Sequence, residues 1–100
     1  MSLTALAQTI AARKGSDPST SWTAKLLANP DKATEKFGEE AVEAIIEATK
    51  GHKGRLTSEA ADVMYHLLVM CAAHDVTLAD IETELSNRAG QSGIDEKANR

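Results

Sequence analysis

Apolar residues recur at three- and four-residue intervals along most of the chain, and the pattern predicts four major helices separated by turn residues. The first runs from about Leu3 to Lys14, with Leu3, Leu6, Ala7 and Ile10 on one face. Ser2 is its expected N-cap and Gly15 its stop, because glycine adopts the left-handed conformation that ends a last helical turn. Gly15 to Ser21 reads as a loop, followed by a short helical turn from Trp22 to Ala28. Asn29-Pro30 then opens the second major helix, with asparagine as cap and proline at the first helical position. That helix extends to about Lys50 and stops at Gly51. A short polar connection, Gly51 to Gly54, leads to a third helix beginning near Leu56 to Ser58 and running to about His74. Thr77 caps a fourth, Leu78 to about Asn87, with Asp80 in its first turn. The tail, about residues 89–100, contains two glycines and is mostly polar, so it is expected to be mobile unless a ligand or partner orders it.

No strand pattern or internal repeat interrupts this reading. The expected fold is all-α, a single domain over residues 1–100, and the short link between the second and third helices makes them an antiparallel pair. Composition agrees: aromatics are only 3%, so Ala, Leu, Ile and Val must build the core, which favours close-packed helices over a sheet. The net charge of −4 argues against a general nucleic-acid binder, which would carry a basic face, but is too small to define a partner by itself. No apolar stretch approaches the roughly 20 residues needed to span a bilayer. No basic stretch followed by an apolar core marks a signal peptide. Cys71, the single cysteine, lies within Leu67-Leu68-Val69-Met70-Cys71-Ala72-Ala73 and reads as a small buried hydrophobe. An intrachain disulfide is excluded, which fits a cytoplasmic protein.

The chemistry is carried by acids. Glu39-Glu40-x-x-Glu43 lies on the second major helix and Glu59-x-x-Asp62 on the third. At about 100° per residue, Glu40, Glu43 and Glu47 form one narrow stripe beside an apolar face of Phe37, Ala41, Ala44, Ile45 and Ala48. Val42 and Ile46 lie on roughly the opposite side, so this helix is expected to pack on more than one flank. Glu59, Asp62 and His66 likewise share one face of a helix otherwise covered by Val63, Met64, Leu67, Leu68, Met70 and Cys71. A carboxylate on a largely buried helix is costly without a partner, and two facing acid pairs repel. A divalent cation such as Mg²⁺, which prefers oxygen ligands, resolves both problems. The i, i+3 spacing stacks each pair about 4.5 Å apart along its axis, so two helices offer four carboxylates to one or two ions. An acidic helix of this kind is otherwise most often a solvated face. Periodicity alone leads no further than a carboxylate metal site in a helix bundle.

These same residues carry a family resemblance. E-E-x-x-E followed by E-x-x-D resembles the metal signature of the MazG-like all-α nucleoside triphosphate pyrophosphohydrolases. Ser21-Trp22-Thr23-Ala24-Lys25-Leu26-Leu27, Lys36-Phe37-Gly38-Glu39-Glu40-Ala41-Val42-Glu43 and Glu59 to Val69 are similar to blocks of the phosphoribosyl-ATP pyrophosphatase family. So is the ending Arg88-Ala89-Gly90-Gln91-Ser92-Gly93-Ile94-Asp95-Glu96-Lys97. The resemblance implies a MazG-like helix bundle completed by dimerisation or higher homo-oligomerisation. It also implies Mg²⁺-dependent hydrolysis, with Mn²⁺ able to substitute, of phosphoribosyl-ATP to phosphoribosyl-AMP and pyrophosphate, the second step of histidine biosynthesis. The chain has no room for the cyclohydrolase fused to many relatives and so resembles the stand-alone form.

Matched residue by residue, Glu40, Glu43, Glu59 and Asp62 occupy the metal-ligand positions, and Glu39 matches the first acid of the signature. Glu39 and Glu43 are the candidate acceptors of the proton from attacking water. Substrate phosphates need cations, for which Arg13, Lys25, Lys36, Arg88, Lys97 and Arg100 are candidates. His66 is a ligand, a phosphate contact or a core histidine; Tyr65, off the acid face, reads as packing. Trp22 either stacks on a base or covers the bundle. Two other readings remain: a MazG-like house-cleaning enzyme for non-canonical nucleotides, and a non-catalytic helical interaction module.

Overall fold

The computed structural model describes residues 1–90, so Lys97 and Arg100 lie outside the described residues. Within them are five helices: α1 Leu3–Ala12, α2 Trp22–Leu27, α3 Pro30–Lys50, α4 Lys53–Ala73 and α5 Leu78–Asn87. No strand occurs among the described residues, and the all-α expectation holds. No described helix is long and apolar enough to cross a membrane.

Local chemistry sets most of the boundaries. The Ser2 hydroxyl accepts from Ala5 N–H at 3.1 Å, Ser21 from Ala24 at 3.1 Å, and Asn29 from Lys32 at 3.2 Å. Each satisfies one of the donors that a helix start leaves unpaired. At α5 the Thr77 side chain accepts from Asp80 N–H while the Asp80 carboxylate accepts from Thr77 N–H, a reciprocal cap. Gly51 ends α3 at φ +72°, where its N–H bonds Ala48 O and the next N–H, from His52, bonds Glu47 O. A residue with a Cβ would be strained there.

Two boundaries differ from the sequence expectation. α1 stops at Ala12 rather than Lys14, because the N–H groups of Arg13 and Lys14 turn to carbonyls three residues back, Ile10 and Ala11. α4 starts at Lys53, three to five residues earlier than the periodicity implies. Leu56 N–H bonds His52 O at 2.8 Å, so the first turn is already helical and Gly54 sits inside it. The polar connection therefore shrinks to Gly51 and His52.

α3 and α4 lie antiparallel against one another, and α1 and α2 pack against α4. Where these helices meet, Ile10, Ala24, Leu26, Ala33, Leu68 and Val69 are buried, with Leu6, Leu27, Tyr65, Met70, Leu78 and Ile81 half-buried among or beside them. Fully burying Ile10, Leu26 or Val69 contributes about 1.5–3 kcal/mol each. This core is small and the body elongated, with a radius of gyration of 15.4 Å against about 13 Å for a compact domain of 100 residues. Among the described residues α3 is not packed on more than one flank: Val42, Ile45 and Ile46 are 54%, 64% and 45% exposed. Cys71 is half-buried, and burial pushes its thiol pKa up, as suits an unreactive hydrophobe.

Candidate metal centre

The α3–α4 pairing sets the acids of one helix against those of the other. Glu40, Glu43 and Glu59 each direct a carboxylate oxygen into one cluster whose atoms all lie within 4.8 Å of one another. Glu40 and Glu59 are half-buried and Glu43 is exposed. Asp62 stands outside this trio and is exposed, although its charge reaches both Glu40 and Glu59.

The electrostatics are those of a site short of positive charge. Burial raises the Glu59 pKa, and the adjoining Glu43 carboxyl, Asp62 and Glu40 push it further in the same direction. Glu40 is raised for the same reasons, burial first and then Glu43 and Asp62, against the opposing influence of His66. Among the described residues, no lysine, arginine or histidine nitrogen lies within ion-pair distance of Glu43 or Glu59. Glu59 Oε2 is buried with no hydrogen-bond partner. Leaving such an acceptor unmatched is unfavourable, the more so if it is charged. Three converging carboxylates, one with an orphaned oxygen, form an all-oxygen donor set that fits a hard divalent cation.

The two ends of the α3 stripe are compensated, which isolates the deficit in its middle. Lys36 Nζ lies 3.0 Å from Glu39 Oε2 and 3.9 Å from Glu40 Oε1. Its hydrogen bond and charge hold Glu39 below the ordinary glutamate value, and Glu39 in turn raises Lys36. At the other end His52 Nδ1 lies 3.1 Å from Glu47 Oε2 across the α3–α4 turn.

His66 is buried, and its Nδ1 lies 2.8 Å from the carbonyl oxygen of Asp62. Its ring meets Tyr65 edge-on, with centroids 4.9 Å apart. Tyr65 packs on the core, as its position off the acid face implied.

Of the expected phosphate contacts, Lys36 alone among the described residues is ion-paired within the acid stripe. Arg13 is the exposed C-cap of α1. Lys25 lies over the Trp22 ring, 5.9 Å from its centroid, on the exposed side of α2. Arg88, the C-cap of α5, bonds Glu84 at 2.9 Å. A separate cavity of about 200 Å³ opens between α1, α4 and the start of α5. Its walls include Ile10, Leu27, Leu68, Ala72 and Leu78, it shares no residue with the acids, and Asp75 on its rim is paired with Lys14. That long-range pair had no signal in the sequence.

The phosphoribosyl-ATP pyrophosphohydrolase family pattern matches residues 3–89. The chain is 72% identical over 96 residues to a phosphoribosyl-ATP pyrophosphatase of Paracoccus denitrificans, covering 95% of this chain and 89% of that protein. It is 71% identical over 96 residues to the protein of that name from a Jannaschia species, with 95% and 94% covered. With the one from Dinoroseobacter shibae it shares 69% over 99 residues, with 98% and 97% covered.

Proposed function

The chain belongs to the phosphoribosyl-ATP pyrophosphohydrolase family, and from that premise we propose that it hydrolyses 1-(5-phosphoribosyl)-ATP to 1-(5-phosphoribosyl)-AMP and pyrophosphate. The reaction is Mg²⁺-dependent, with Mn²⁺ able to substitute, and is the second step of L-histidine biosynthesis. The observation that carries this reading is the convergence of Glu40, Glu43 and Glu59 around an unmatched buried oxygen. A solvated acidic face has no need to bring three carboxylates together and occlude an oxygen of one of them.

Glu40, Glu43, Glu59 and Asp62 hold the cation in this reading. An ion held there would supply positive charge to offset that of the phosphates and would ease loss of a proton from the attacking water. The water oxygen bonds to the α-phosphorus, the α–β bridging bond breaks, and pyrophosphate leaves with the bridging oxygen. The proton released from water goes to a carboxylate. Of the two candidates, Glu39 is the poorer acceptor because the Lys36 ammonium stabilises its ionised form, so the role falls to Glu43. Lys36, kept charged by Glu39 and Glu40, is the first candidate to meet a substrate phosphate. His66, Arg13, Lys25, Arg88, Lys97 and Arg100 remain further candidate substrate contacts.

The working unit in this reading is a homodimer or higher homo-oligomer, in which a second copy covers Val42, Ile45 and Ile46. The small core and elongated body support it. The compartment is the cytoplasm, whose reducing conditions suit the free thiol of Cys71.

The deciding assay is pyrophosphate release from phosphoribosyl-ATP, with and without Mg²⁺, beside a panel of free nucleoside triphosphates. Turnover of phosphoribosyl-ATP that vanishes on chelation supports the proposal. Preference for the free triphosphates transfers the function to nucleotide house-cleaning, and no hydrolysis of either refutes catalysis.

A further inference from the structure

Among the described residues, two buried side-chain polar atoms lack a hydrogen-bond partner: Glu59 Oε2 and His66 Nε2. Both belong to α4, seven residues apart, and so lie on one face of the helix. The first belongs to the carboxylate trio. The second belongs to a residue named so far only as a candidate substrate contact.

The state of His66 follows from its surroundings. A carbonyl oxygen only accepts, so the 2.8 Å contact with Asp62 O puts the proton on Nδ1. With that proton on Nδ1, Nε2 is the nitrogen left without a hydrogen-bond partner, and its lone pair is what it offers to a donor. The ring cannot readily turn away to find water. It is 7% exposed, tied at Nδ1, and held edge-on by Tyr65, whose hydroxyl is itself fixed 2.5 Å from Thr23 Oγ1.

We propose that His66 is a positioning residue for the acid centre: its Nε2 accepts a hydrogen bond from the hydration shell of the cation held by Glu40, Glu43 and Glu59. Mg²⁺ and Mn²⁺ sites of this kind keep several waters, and each water needs acceptors for its protons. The trio supplies carboxylate oxygens as ligands; His66 supplies a fixed acceptor on the face of α4 that carries Glu59. The same ring, through Nδ1, ties the Asp62 backbone to the geometry of the site. This inference rests on the metal-dependent reading above.

Two substitutions separate the nitrogens. In His66→Asn the side-chain amide can still donate to the Asp62 carbonyl but offers nothing at the Nε2 position. In His66→Gln the longer amide can present its oxygen there. Mn²⁺ affinity, measured on the purified protein without substrate by electron paramagnetic resonance, is the readout. Loss of an outer hydrogen-bond partner typically costs 10–100-fold in metal affinity. His66→Asn should bind about tenfold or more weakly, and His66→Gln should recover most of the wild-type affinity. Wild-type affinity in His66→Asn, or equal weakening in both variants, would overturn the inference. Should His66→Asn not fold, His66→Gln is compared with His66→Met, similar in length but without the acceptor, and equal affinities again overturn it. No Mn²⁺ binding by the wild-type protein would instead refute the metal-dependent reading itself.

Discussion

The hydroxyl oxygen of Tyr65 on α4 lies 2.5 Å from Oγ1 of Thr23 on α2, a part-buried bond between residues 42 apart in the chain. α2 has only six residues, too few to hold a helical form by its own hydrogen bonds. It is held by burial of Ala24 and Leu26, by the Ser21 cap and by this bond. Tyr65→Phe should therefore lower stability by about 1 kcal/mol, read as a shifted urea midpoint with the slope unchanged. An unmoved midpoint would mean that solvent satisfies both hydroxyls equally well.

Replacement of the acids tests catalysis apart from folding. Glu43→Gln removes both a proposed cation ligand and the proposed proton acceptor, and should lower kcat about 100-fold or more. Asp62→Ala should leave less than about a tenth of the activity if it completes the ligand set. Both should keep the helical circular dichroism signal, since both side chains are exposed. Substantial turnover by both variants would remove these residues from the reaction.

Metal-free stability should depend on pH in a direction opposite to that of an ordinary ion-paired carboxylate. Glu40 and Glu59 have folded pKa values raised above the ordinary 4.5. Their contribution is complete below that value and is lost as pH rises through the folded values. Glu39, Asp17 and Asp75 are lowered, so their contributions are lost only as the solution becomes strongly acidic. The metal-free melting temperature should be higher near about pH 5 than near about pH 7.5, with Mg²⁺ restoring it at the higher pH. Glu59→Gln should flatten both responses in differential scanning calorimetry; an undiminished Mg²⁺ effect in that variant would exclude Glu59 as a ligand.

The exposed apolar side of α3 gives the test of self-association. Ile45 is 64% exposed and does not belong to the acid trio. Ile45→Lys should shift sedimentation equilibrium from dimer or larger species toward monomer while retaining helix content. A wild-type protein that sediments as a monomer would show that the exposed isoleucines and valine serve another purpose.

Much of this was legible in the sequence where the cause is local. Ser2, Asn29-Pro30, Gly51 and Thr77 act within a turn of themselves, and each sits at the expected helix end. The start of α4 was not legible, because Lys53-Gly54-Arg55 has no side-chain cap and its glycine reads as a break. Helical phase placed Glu40, Glu43 and Glu59 on faces able to meet, but could not exclude Asp62 from the trio. Nor does phase reveal which flank of a helix is covered, so Val42 and Ile46 were expected to be packed. Lys14–Asp75 and Tyr65–Thr23 span 61 and 42 residues and leave no local trace. His66 could be placed on the acid face by counting, whereas its unmatched nitrogen needed coordinates.

The two-residue link between α3 and α4 bears on how the protein comes together over time. Closing so short a loop costs little chain entropy, and contacts made across it are near in sequence, which favours rapid formation. Glu40, Glu43 and Glu59 all lie on that hairpin, within 20 residues of one another. Their mutual repulsion must therefore be met as soon as the hairpin closes, before α1 and α5 need have docked. A cation present during refolding would relieve that repulsion at an early step, so an ion able to bind the finished cluster would also hasten its assembly.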